Sequence, residues 1–191
     1  NGVDWVTAGP PVAFHDPQVV FGIGPGLRQG NPRALEVQPP RPYPAASMVS
    51  REPPVRYVGP VYRPPSEADS LLLQVTLGCS HNECTYCAMY RNKTFQARPL
   101  ADVLADVAEA GRLAPDTRRV FLMDGDAMTL ATARLVPVLE ALNAAFPGLQ
   151  RVGSYVNAVS VLRKTDAELA RLRDLKLTIG YLGLETGDPV T

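Results

Sequence analysis

The stretch LLLQVTLGCSHNECTYC, residues 71–87, joins an apolar run to all three cysteines of the chain. LLLQVTLG (71–78) is partly β-branched and too short for an ordinary helix, so it reads as a buried strand. It stops at the first of three thiols packed into nine residues. A strand that ends on metal-ligating side chains suits a parallel β/α fold, whose polar rim is built after the strands.

Downstream, strand and helix patterns alternate as that fold requires. PLADVLADVAEAGRLA (99–114) sets Leu100, Val103, Leu104, Val107 and Ala108 at helical spacing, with a proline at its start and acidic residues on the other face. RRVFLMDGD (118–126) reads as the second strand and ATARLVPVLEALNAAFP (131–147) as the second helix, kinked or begun at Pro137. RVGSYVNAVS (151–160) is the third strand. TDAELARLRDLK (165–176) is the third helix, with Thr165 and Glu168 in capping-box spacing, and LTIGYLGLETG (177–187) is the fourth strand. Short apolar strands in βαβα order predict parallel pairing and right-handed crossovers. The expected class is α/β: a partial parallel (β/α) barrel of about four β/α units, filling residues 66–191.

Residues 1–65 follow different rules. They hold 14 of the 19 prolines, in groups such as QPPRPYP and YRPP, without a sustained period of 3.6 or 2. Proline fixes φ and removes donors, so this segment is expected to be extended, polyproline-like or disordered, and no folding unit. FGIGPGLRQG (21–30) offers spaced glycines, but no amphipathic helix follows to present its N-terminus to a phosphate, and it reads as a loop. Trp5 and His15 stand in the same segment without partners. The edges of the chain, Asn1 and the strand exit before Thr191, read as those of a fragment, with Met48 a candidate start.

Lys plus Arg and Asp plus Glu number 19 each, so no bulk field recruits nucleic acid or an anionic membrane. No apolar run approaches the length of a membrane span, and the first residues lack a signal peptide's basic flank and apolar centre. Clustered cysteines also differ from the dispersed, even-numbered set of a secreted disulfide scaffold. A cytoplasmic protein is expected.

Polar residues fall where a barrel rim would be: the cysteines after the first strand, Asp124-Gly125-Asp126 after the second, Ser154, Tyr155 and Asn157 in the third, and Glu185 after the fourth. For the cysteines, one reading is a zinc-stabilised Cys3His binding module in which His81 joins Cys79, Cys84 and Cys87. Against it, structural zinc sites draw paired ligands from separated segments, and Cys79 and His81 are two residues apart. Three free buried thiols would need a less polar loop. The remaining reading is a 4Fe-4S cluster held by three thiolates, with one iron open to a small molecule.

A three-cysteine loop after the first strand of a β/α barrel, with Tyr86 just before the last cysteine, resembles the radical S-adenosylmethionine superfamily, and the resemblance covers residues 70–187. VTLGCSHNECTYCAMYRNKTFQARPL (75–100) is also similar to a bacterial subgroup related to oxygen-independent coproporphyrinogen oxidase. The cysteine spacing departs from the superfamily's usual C-x3-C-x2-C, being C-x4-C-x2-C here. A loop absorbs an extra residue more readily than a helix or strand does.

The resemblance implies that Cys79, Cys84 and Cys87 bind the cluster and that its open iron takes S-adenosylmethionine. Reductive cleavage then gives a 5′-deoxyadenosyl radical, which abstracts hydrogen from a small-molecule substrate. It further implies that Tyr86 packs near the adenine, that Asp124, Gly125 and Asp126 receive the cofactor's ammonium, with Asp126 foremost, and that Glu185 meets the ribose. Asn157 joins the cofactor pocket or serves the strand. Arg91, Lys93 and Arg98 read as an exposed basic face, or as a contact for a carboxylate substrate or an electron donor such as flavodoxin or ferredoxin. His81 either tunes the cluster by a hydrogen bond or has no role.

Overall fold

The computed structural model describes residues 18–22, 55, 57–59, 61–85 and 87–183. Trp5, His15, Met48, Tyr86, Glu185 and the glycines of 24–30 lie outside the described residues. In chain order the elements are β1 (Gln18–Gly22), β2 (Leu71–Gln74), β3 (Thr76–Leu77), β4 (Gln96–Ala97), α1 (Leu100–Leu113), β5 (Arg119–Met123), α2 (Thr132–Ala145), β6 (Arg151–Val156), α3 (Ala158–Leu162), α4 (Asp166–Asp174) and β7 (Leu177–Gly183).

One sheet has the order β1-β7-β6-β5-β2. Its β2, β5, β6 and β7 pair in parallel, each separated from the next by helix, so the partial β/α barrel expected from the sequence is present. Residue alternation divides the sheet into two faces. Leu73, Val120, Leu122, Val152 and Leu177 pack with Val103 and Val107 of α1, Leu135, Leu139 and Leu142 of α2 and Leu172 of α4. Leu72, Phe121, Met123 and Tyr181 make a separate cluster on the opposite face. Each buried Val or Leu is worth roughly 1.5–3 kcal/mol, so the helix-facing cluster is the main source of stability.

The structure corrects the sequence reading in several places. The run 71–78 divides at Val75, because Arg98 takes its carbonyls: Arg98 N–H donates to Val75 O at 3.0 Å and Arg98 Nη1 to Gln74 O at 3.0 Å. The short β3 beyond the break pairs antiparallel with β4, so the cysteine loop leaves the barrel and returns to the same place. In α1 the buried stripe is Val103, Asp106, Val107 and Ala110, and Ala108 is exposed. Asp106 is tolerated inside because Arg98 Nη1 lies 2.6 Å from its carboxylate.

Pro137 neither starts nor ends α2; it sits inside a 14-residue helix whose other side chains carry the packing. The third strand stops at Val156, since Asn157 caps α3. Residues 18–22, in the segment expected to join no folding unit, form an antiparallel edge strand on β7. QVVFG is a proline-free, β-branched run, which suits it to cover an open sheet edge.

A 3-10 turn at Pro65–Glu67 brings Glu67 beneath the N-terminal ends of the strands, where it is fully buried. Its carboxylate accepts from Arg151 Nη1 at 2.5 Å, from Tyr181 Oη at 2.5 Å and from Ser70 Oγ. Gly153 makes room for this group, because a Cβ there would lie 3.1 Å from Glu67 Oε1 and 3.3 Å from the Phe121 ring.

Candidate functional site

At the other end of the parallel strands a cavity of about 650 Å³ opens to solvent. Its volume is within the range of small-molecule sites. Cys79, Cys84 and Cys87 all line it, each half-buried and free of disulfide bonds. Phe95, Asn157 and Tyr181 line other parts of the wall, and the exposed His81 sits at its edge.

The loop after β5 approaches the cysteines from behind. Gly125 N–H donates to Gly78 O at 2.9 Å, and a Cβ on Gly125 would fall 2.4 Å from Cys79 Cβ and 2.7 Å from its sulfur. Only glycine fits there. Asp124 and Asp126, on either side, do not line the cavity; both are buried and fully engaged.

Asp124 adopts a left-handed φ of 68° and accepts from Gly78 N–H at 2.8 Å, Gln74 Nε2 at 3.3 Å and Lys93 Nζ at 3.1 Å. Left-handed backbone costs a residue with a Cβ roughly 1–2 kcal/mol, although Asp tolerates it better than most. Here the carboxylate's bonds to both ends of the cysteine loop offset that cost.

Asp126 accepts from Asn157 Nδ2, from Ser160 Oγ at 3.1 Å and from the backbone of Met128 and Thr129. Burial raises its carboxyl to about 6, against the opposing pull of those hydrogen bonds. The two carboxylates read from the sequence as facing a cofactor's ammonium are thus turned inward, where they hold the rim's backbone.

Asn157 is brought to the cavity in another role than that of a strand residue. Its Oδ1 accepts from Ser160 N–H at 2.8 Å and Ser160 Oγ accepts from Asn157 N–H at 3.3 Å, a reciprocal cap. The Asn-x-x-Ser pattern of NAVS carried that signal. Ser154 is buried within β6 and donates to Tyr155 O.

Of the basic group expected after the cysteines only Arg91 is exposed, and all three side chains are engaged. Arg98 serves Gln74, Val75 and Asp106, Lys93 serves Asp124, and Arg91 donates to three carbonyls of the cysteine loop itself. Sequence reasoning also passed over Tyr90. It is 5% exposed, lines the cavity, stacks edge-on against Tyr62 at 5.7 Å, and its hydroxyl has no partner among the described residues. Burial, then the nearby Asp124 carboxylate, raises its pKa, so it stays a protonated donor. A buried hydroxyl without a partner, on a residue that lines the cavity, is a feature that packing alone leaves unexplained.

Among the described residues no three His, Cys, Asp or Glu side chains are grouped around a point that could hold a single metal ion. Cys79, Cys84, Cys87 and His81 therefore do not form the tetrahedral site that the zinc reading requires. A cubane sets each thiolate on a different iron, so its ligands need not gather around one point, and the structure places three free thiols on one cavity. A model described as the radical SAM superfamily matches residues 73–191. The chain belongs to the radical SAM superfamily. No curated protein matches it. The radical SAM match takes in the cysteine loop, Asp124 to Asp126 and Asn157, and leaves out β1 and Glu67. Among the described residues no helix is long and apolar enough to cross a membrane.

Proposed function

We propose that this chain is the cofactor-binding part of a radical S-adenosylmethionine enzyme, with Cys79, Cys84 and Cys87 as ligands of a 4Fe-4S cluster and S-adenosylmethionine in the cavity beside them. The observation that carries the reading is three unpaired thiols around one cavity at the C-terminal ends of parallel strands, within the family match. When bound, a reduced cluster supplies the electron that cleaves S-adenosylmethionine to a 5′-deoxyadenosyl radical, which takes hydrogen from a small-molecule substrate.

The chain's own residues prepare the site. Gly125 leaves Cys79 its space, and Asp124 fixes the start of the loop through Gly78. Tyr90 and Asn157 add polar residues to the lining, and Tyr155 and Tyr181, packed edge-on, add aromatic ones. Tyr86 and Glu185 are proposed for the adenine and the ribose on the family resemblance alone. Ser80, His81, Glu83 and Thr85 are exposed, so the loop is open to a small electron carrier such as flavodoxin or ferredoxin, in keeping with a cytoplasmic enzyme.

Anaerobic reconstitution with iron and sulfide tests this. Wild type should turn brown and, once reduced, convert S-adenosylmethionine to 5′-deoxyadenosine, and C84A should do neither. Wild type that takes up only zinc, or no metal, under those conditions refutes the proposal.

A further inference from the structure

The spacing Cys79-x4-Cys84 puts one residue more into the loop than the family's usual pattern, and the structure shows where it goes. Asn82 has a left-handed φ of 49°, a conformation that Asn adopts more readily than most residues. Its Nδ2 donates to Tyr90 O at 3.0 Å, which ties the turn to the far side of the loop. Arg91 completes the tie. Its Nη1 donates to Asn82 O at 2.7 Å, its Nε to Cys87 O at 3.2 Å, and its Nη2 to Cys84 O.

One planar guanidinium thus spans the carbonyls of the extra turn and of two cysteines. Among the described residues the loop's own backbone bonds are few and local: Cys87 N–H donates to Cys84 O at 3.2 Å, Arg91 N–H to Ala88 O at 3.4 Å and Lys93 N–H to Tyr90 O at 2.9 Å. Successive residues divide the work, since Tyr90 lines the cavity while Arg91 remains exposed on the loop.

We infer that Arg91 is a positioning residue that holds the cysteine loop in its cluster-receiving shape and absorbs the additional residue between Cys79 and Cys84. The inference rests on the proposed cluster. A guanidinium is suited to this because its donors point in fixed, divergent directions within one plane, whereas a lysine ammonium is a point donor on a flexible stem. Arg91 also places a fixed positive charge beside two ligand residues. Net charge and hydrogen bonding around a cluster help to set its potential, so losing this charge should disfavour the more negative, reduced state.

R91Q and R91K separate the fork from the charge. Two measurements read them: amide hydrogen exchange of the metal-free protein, and iron content with midpoint potential after reconstitution. In R91Q the cysteine loop should exchange about tenfold faster or more, while β5 and β6 keep wild-type protection and so certify the fold. R91Q should also bind less than about half the wild-type iron, with the remaining cluster at a lower potential. R91K should share the faster loop exchange but keep its potential closer to wild type. Wild-type loop exchange and full iron content in R91Q overturn the inference. Should wild type itself bind no iron, the proposed function fails, and unchanged exchange in R91Q still decides against Arg91 on its own.

Discussion

The two ends of the parallel strands both carry buried carboxylates, and they leave different amounts of chemistry free. At the N-terminal end Glu67 takes Arg151, Tyr181 and Ser70 and fills the space beneath the strands. At the C-terminal end Asp124 and Asp126 are equally occupied, yet a cavity of about 650 Å³ remains beside them, lined by the three cysteines and by Tyr90. A carboxylate at a barrel rim is therefore not a ligand by position alone. At this rim the carboxylates hold backbone, and the three free thiols line the cavity. Tyr181 belongs to both ends, since the residue lines the cavity while its hydroxyl reaches Glu67.

The hardest test of that division is E67A. It leaves Arg151 beside the strands without its carboxylate and frees the Tyr181 hydroxyl, and stranding one partner of a buried pair costs about 3–5 kcal/mol. Urea unfolding should show a loss of that size, with a smaller one in E67Q, which keeps an acceptor. Iron bound per folded chain should not change, because the cysteine loop hangs on Asp124 and Arg91. Folded E67A that fails to take up iron would show the two ends to be one unit.

Much of this architecture was legible in the sequence. Alternating apolar runs gave the four parallel strands, and Thr165 with Glu168 gave the start of α4, because periodicity and capping are local signals. Less legible was anything resting on a partner distant in sequence. Asp124 and Asp126 share one motif, but Lys93 and Asn157, 31 residues away on opposite sides, decide where they point. Arg91, Lys93 and Arg98 have the composition of a solvated face, and only the fold supplies the carbonyls and carboxylates that occupy them. Glu67 gave no signal, since a lone glutamate after two prolines looks like solvent-facing turn.

A second prediction sharpens the comparison through pH. The Asp126 carboxyl stands at about 6 in the fold against an ordinary 3.8. Between those values the folded chain holds a proton that the unfolded chain has released, so the stability contributed by this group falls as pH rises from about 4 to about 6 and is level above. The loss is on the order of 3 kcal/mol. In D126N that slope should vanish, so its stability relative to wild type should improve between pH 4.5 and pH 7 in paired urea titrations. Parallel pH profiles for the two proteins would mean that the carboxylate is not buried as described.

The smallest expected effects come from two helix caps of the same design. Thr165 and Asn157 each accept from the N–H three residues on, and Glu168 and Ser160 return the bond. T165A should cost about 1 kcal/mol, the usual value of a lost N-cap, and leave iron content and S-adenosylmethionine cleavage alone, because that cap is exposed and far along the chain from the cysteines. N157A removes the same kind of cap and also strips a donor from buried Asp126, so it should cost about 2 kcal/mol. It should also weaken S-adenosylmethionine binding, since Asn157 borders the cavity. Thermal unfolding of the two variants gives the first difference and calorimetric titration of the reconstituted protein the second. Equal stability losses, with unchanged binding in both, would reduce Asn157 to an ordinary cap and leave the rim's polar chemistry to Tyr90 and the thiols.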